Sequence, residues 1–231
     1  TALNASVDAT TVNHEGVSVV YADLNIDSDD FTNTSDGQLT ADTMTLDVAN
    51  AFDNSGLVMG SSGVEINANH IINEGTKGDD LNDFSLGIQT GGELLLSANE
   101  VNNANGLLIG SGIGIDASTV DNNGGQVVDF GDGIFVTSSS VDNTDGRFES
   151  NGVVTINAGV INTGGMVYGS MGLALTDINN TNGQLLADAG VINIQMLDSD
   201  FINTNGSVIS YDGDIQIEAN DYSNDNGVII A

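Results

Sequence analysis

Residues 106–122 read GLLIGSGIGIDASTVDN. Leu108 falls two residues after Gly106, and a small residue, Gly110, follows at the next alternate position. Ile113, Ile115 and Ala117 then alternate with Gly114 and Asp116, and Val120 precedes Asn122 by two. Period-two alternation sends one set of side chains inward and the other outward, as in a strand, and helical spacing fits none of it. Three short strands divided by small or polar residues predict one turn of a triangular coil.

The same columns recur along the chain. Leu39, Val58, Leu108, Val127, Phe148, Val167, Leu185, Val208 and Ile229 each follow a glycine by two. A second strand supplies apolar pairs such as Met44 and Leu46, Ile134 and Val136, and Ile192 and Ile194. A third apolar column (Phe31, Phe52, Ile71, Val101, Val120, Val141, Val160, Ile178, Phe201, Tyr222) precedes an asparagine by two. Those asparagines are Asn13, Asn33, Asn54, Asn73, Asn103, Asn122, Asn143, Asn162, Asn180, Asn203 and Asn224, each followed shortly by glycine.

A period of about twenty residues marks a stacked array in which each unit contacts its neighbours. The expected fold is all-β: a right-handed parallel β-helix, or solenoid, of about eleven coils, forming an elongated rod. With coils about 4.8 Å apart, the rod would be roughly 50 Å long. The asparagine column is read as structural. Stacked amides can bond one another, asparagine tolerates a left-handed corner, and glycine clears the same corner without a Cβ.

Composition narrows the function. Lys77 and Arg147 stand against 33 acidic residues, for a formal charge of −31. Such a chain cannot neutralise phosphates, so nucleic acid is excluded as a partner, and anionic membranes are disfavoured. No apolar run is long enough to span a bilayer, so no membrane insertion is expected. Proline is absent, leaving every N–H free for a ladder, and cysteine is absent, so no disulfide supports the fold. Lack of crosslinks also suits export of an unfolded chain through a narrow pore.

The interval between Asn73 and Asn103 is ten residues longer than the typical unit. The excess is a polar loop near 76–84, TKGDDLNDF, carrying Lys77, Asp79, Asp80 and Asp83. Loops on repeat arrays carry binding more often than the scaffold does, which makes this a possible binding loop. The chain begins and ends inside a repeat, so 1–231 is read as a single β-helical domain cut from a longer array.

Catalytic groups are sparse. His14 and His70 lie about three coils apart, there is no cysteine nucleophile, and no phosphate loop is present. No catalytic residue is assigned and the expectation is that the chain is not an enzyme. A hydrolase of this shape would need only two carboxylates, so a carbohydrate-active β-helix is the third reading. No cofactor is expected. Asp27, Asp29 and Asp30 offer oxygen ligands for at most weak Ca²⁺ binding, without EF-hand spacing. Phe135 and Tyr168 are the outward aromatics suited to stacking on a sugar.

Residues 120–165, VDNNGGQVVDFGDGIFVTSSSVDNTDGRFESNGVVTINAGVINTGG, show the motif most fully. A hydrophobic–x–Asn corner leads to glycine, a short strand, a glycine turn and an alternating strand. This pattern resembles the filamentous haemagglutinin-type repeat of large two-partner-secretion exoproteins of Gram-negative bacteria, and it covers essentially the whole chain. That family includes adhesins and effectors of contact-dependent growth inhibition. The resemblance implies a secreted, cell-surface shaft that passes an outer-membrane transporter and projects a distal functional domain. A receptor- or glycan-binding module, meeting a target-cell surface in its own right, is the alternative. A monomer is expected. The scarcity of basic residues departs from the family's usual repeat.

Overall fold

The computed structural model describes residues 4–78, 84–196 and 198–231. Among them every regular element is a strand, and every strand pairing is parallel at an offset of about one coil. The architecture is a parallel β-solenoid of about eleven turns, as the columns predict.

Register fixes which residues stack. The first-strand column runs Leu39, Val58, Ile88, Leu108, Val127, Phe148, Val167, Leu185, Val208 and Ile229. Ile88 fills the place that the sequence columns leave open beside the long unit. The second-strand column includes Ile26, Leu46, Ile66, Leu96, Ile115 and Val136. Phe31 and Phe52 pack with rings parallel, 5.2 Å apart, in the third. These inward side chains are almost all excluded from water between Leu24 and Val208, so one dry core runs along the axis. Each coil shares its apolar surface with the coils on both sides, which is why none can be stable alone.

Second and third strands are often one bent ribbon. In Gly133–Asp142 the bend falls between Thr137 and Ser140, where the register shifts against the next coil. Early in the chain the ribbon also absorbs the first strand, giving Gln38–Asn54 and Leu57–Ile72.

At the corner after the third strand, the asparagine side chains form a continuous ladder. From Asn33 to Asn224, each Nδ2 donates to the Oδ1 of the next asparagine at 2.6–2.9 Å, through nine links. Asn33 to Asn203 are all buried, so these bonds satisfy amides that would otherwise be stranded in an apolar core.

The first rung differs from expectation. Asn13 is exposed and is not in the column. The pairing places Asn13 beside Thr32 and His14 beside Asn33. His14 Nδ1 meets Asn33 Oδ1 at 2.8 Å, and its Nε2 meets Ser18 Oγ at 2.9 Å. Since Asn33 Oδ1 can only accept, Nδ1 carries the proton, and Nε2 accepts from the hydroxyl.

The division of labour at the corner also needs correcting. The column asparagines do not take the left-handed conformation. That falls to the residue two positions later, in eight coils: Gly75, Asn105, Gly124, Asp145, Gly164, Asn182, Asn205 and Asn226, with φ between 50° and 71°. The glycine that follows is required by close approach. A Cβ on Gly125 would collide with the Asn103 carbonyl and lie 2.6 Å from Asn122 Oδ1.

Candidate binding surface

The long unit departs from the coil immediately after Asn73. Gly75, with φ of 71°, is the left-handed residue, so Thr76 stands where later coils place glycine. Thr76 is buried, donates its hydroxyl to Asn73 O at 3.1 Å, and accepts from Leu107 N at 3.0 Å. In the following coil the equivalent N–H, that of Gln126, is bonded by the Gly106 carbonyl. The threonine hydroxyl therefore replaces the corner carbonyl that the chain's departure removes.

The described ends of the insertion lie against the first-strand face. Lys77 Nζ donates to Gly124 O, and Gln89 Nε2 donates to Phe84 O and Leu86 O, both at 2.7 Å. Leu107 and Ile109 point outward on this face, yet are only 1 % and 7 % exposed. Lys77 is thus committed to a backbone carbonyl of the rod. Asp79, Asp80 and Asp83 lie outside the described residues.

Asp129 is a feature that pattern reading missed. It occupies an inward column otherwise filled by small residues, between Gly110 and Ser150. Its Oδ1 accepts from Gly112 N at 2.5 Å and Gly131 N at 3.2 Å. Its Oδ2 accepts from Gly133 N at 2.9 Å and Ser150 Oγ at 2.7 Å. One buried carboxylate joins the corners of three coils, and its donors replace the cation that a buried charge would otherwise need. An aspartate in a column of glycine, alanine, serine and threonine was the available signal.

The outer carboxylates are spread along strands. Asp27 and Asp29 are exposed on Asp23–Asn33, with Ser28 inward between them and Asp30 half-buried. Asp27 stacks in register with Asp8 and Asp47. Among the described residues no three acidic or histidine side chains converge in a way that could hold a metal ion. Asp42 sits at a corner, where the hydroxyls of Ser62 and Ser61 donate to it and hold its carboxyl below the usual range. Burial raises the carboxyl of Asp53, and the nearby Glu74 adds to the effect.

Of the two outward aromatics, Tyr168 is half-buried and donates its hydroxyl to Asp188, a bond that raises its ionisation above the usual phenol range. Phe135 is 52 % exposed on the second-strand face. It is not alone, since Tyr21, Phe130 and Tyr211 are exposed as well. What distinguishes Phe135 is its setting. In the outward column, register places Leu95, Gly114 and Phe135 in three successive coils. Gly114 leaves a saddle between two exposed apolar side chains, and Leu95 leans over it: a Cβ on Gly114 would lie 2.9 Å from Leu95 Cδ2.

Open hollows of ≈ 270 and ≈ 410 Å³ flank the saddle. Glu65 and Asp116 line the first, and Glu93 and Asp132 line the second. Among the described residues no helix is long and apolar enough to cross a membrane. Comparison with family models, with curated proteins and with solved structures gives no match.

Proposed function

We propose that this chain is a shaft segment of a secreted bacterial cell-surface exoprotein, serving adhesion or contact-dependent inhibition by holding a distal domain away from the cell. The observation that supports it most is the amide ladder, unbroken from Asn33 to Asn224 beside a continuous dry core. Such a structure transmits length: rigidity comes from every coil and depends on no single one. The acidic surface adds self-repulsion, which keeps neighbouring rods apart. The haemagglutinin-type pattern of residues 120–165 supports placement outside a Gram-negative cell, after passage through an outer-membrane transporter. In this reading the chain performs no catalysis and needs no cofactor.

The test is to vary length without touching the saddle. Residues 162–202 form two whole coils between equivalent asparagines, Asn162 and Asn203. The chain would be displayed on bacteria with a terminal epitope, with these coils deleted or duplicated. Epitope height above the membrane should fall or rise by about 10 Å, twice the coil spacing. Delivery of a distal domain to a target cell should follow the same order. Unchanged height, or delivery indifferent to it, would overturn the shaft reading.

A further inference from the structure

We propose that the saddle between Leu95 and Phe135 docks an extended basic segment of a partner chain, with an apolar residue over Gly114 and a lysine or arginine in each flanking hollow. This goes beyond a shaft, which requires no recognition surface.

The first ground is shape. Leu95 and Phe135 stand two coils apart, roughly 10 Å, with Gly114 between them and Leu95 leaning over it, so one apolar side chain can rest in the dip between Leu95 and the Phe135 ring. Both walls are exposed apolar groups, and Phe135 offers a ring face to a cation as well as to a methyl group.

The second ground is charge. Glu65, Glu93, Asp116 and Asp132 are all exposed around the saddle. Among the described residues, Glu93, Asp116 and Asp132 have no hydrogen-bond or ion-pair partner, and Glu65 accepts only from Asn67. The rod's own cations are engaged elsewhere, Lys77 at Gly124 and Arg147 at Glu149. The carboxylates therefore leave both hollows negative, a local field that attracts a cation from outside. An anionic glycan is repelled, and a neutral one would leave them unpaired.

The third ground is period. The hollows lie on opposite sides of the Leu95–Gly114–Phe135 column, along the strand direction. An extended peptide running parallel to the strands shares their repeat, so residues i, i+2 and i+4 face the rod over about 13 Å. The matching pattern is basic–x–apolar–x–basic.

The test uses the folded chain and a fluorescent peptide SKSLSKS, with SKKSSLS as an isomer of equal charge, followed by anisotropy at physiological salt. The first peptide should bind at least about five-fold more tightly than the second. Phe135→Ala should weaken it by a similar factor, and Asp116→Asn with Asp132→Asn, which leaves Glu65 and Glu93 in the hollows, should weaken it and lower its salt dependence. Circular dichroism and urea unfolding would show that each exposed-site variant retains the fold. Equal binding of the two isomers would mean only general attraction to an acidic rod, and would overturn the proposal. So would binding that survives Phe135→Ala, or Phe135-dependent binding of a neutral oligosaccharide without binding of the peptide.

Discussion

His14 ends the asparagine ladder: its Nδ1 donates to Asn33 Oδ1 at 2.8 Å, in the direction in which each Nδ2 donates to the coil above. His14→Ala removes the donor that serves this rung from below, and should cost about 1 kcal/mol. A terminal coil can open by itself, so hydrogen exchange near residues 14–20 will register the loss more clearly than global unfolding. His14→Asn places an amide in register and should restore most of the protection.

Glycine is required at some corners and incidental at others. Gly125→Ala drives a Cβ into the Asn103 carbonyl, which belongs to the stacked backbone and cannot yield. It should cost about 3 kcal/mol or more. Gly159→Ala meets only Ser139 O, at 3.6 Å, in ordinary contact. It should be neutral or stabilise by about 0.5 kcal/mol, because the unfolded chain loses freedom. Urea denaturation of the pair gives the contrast directly.

Asp129→Ala removes the acceptor of three partly buried backbone N–H groups and of the buried Ser150 hydroxyl. A loss of about 3 kcal/mol or more is expected. Asp129→Asn keeps the shape but turns an acceptor into a donor, so its loss should be intermediate. Equal stability of all three proteins would show that the corners do not depend on the carboxylate.

Asp53 predicts a pH dependence of definite sign. Its folded carboxyl is raised by burial and by Glu74, so the folded chain holds a proton more tightly than the unfolded one. Between the ordinary value of 3.8 and the raised one, stability contributed by this group increases as pH falls. Asn102 and Asn179 occupy comparable outward positions in the same strand, so Asp53→Asn is compatible with the corner. The variant should melt higher than the parent at pH 7, and the gap should close as the pH is lowered through the raised value.

Ser28 carries a buried hydroxyl with no partner among the described residues. It stacks on Val48 in an inward column continued by Ala68. Ser28→Ala removes a polar group that was desolvated without a bond, at little change in volume. Stabilisation by about 1 kcal/mol is expected from thermal or urea unfolding.

The repeat was legible because burial in a stacked coil leaves a two-residue alternation at fixed distances from a glycine. The same rule misplaced the first rung. Asn13 stands three residues before Gly16, as later asparagines do before their glycines, but Gly16 has φ of 83° and nothing within 4 Å of a Cβ. It is the left-handed residue, not the close-approach one, so the column residue is His14, two before it. Gly75 and Thr76 repeat this shift at the long unit. The saddle was half visible: Phe135 could be read as outward, and Leu95 and Gly114 stand in its column at ordinary repeat spacings, but the lean of Leu95 over Gly114 is a side-chain geometry that no column shows. The clamp at Asp129 was hidden for another reason. Three of its four donors are backbone groups, which every residue type supplies.

The ladder also gives the rod an electrical sense. Each amide in it is a dipole of about 3.5 D, as in a helix, and all nine donors face the carboxy-terminal coil. Their sum leaves partial negative charge at Asn33 and partial positive charge at Asn203 and the half-buried Asn224, with the ladder between them in a medium of low polarisability. The array consequently has a sense as well as an axis. Every completed coil offers an outstretched N–H to the one that follows, and a coil laid down in the reverse sense would meet it with another donor.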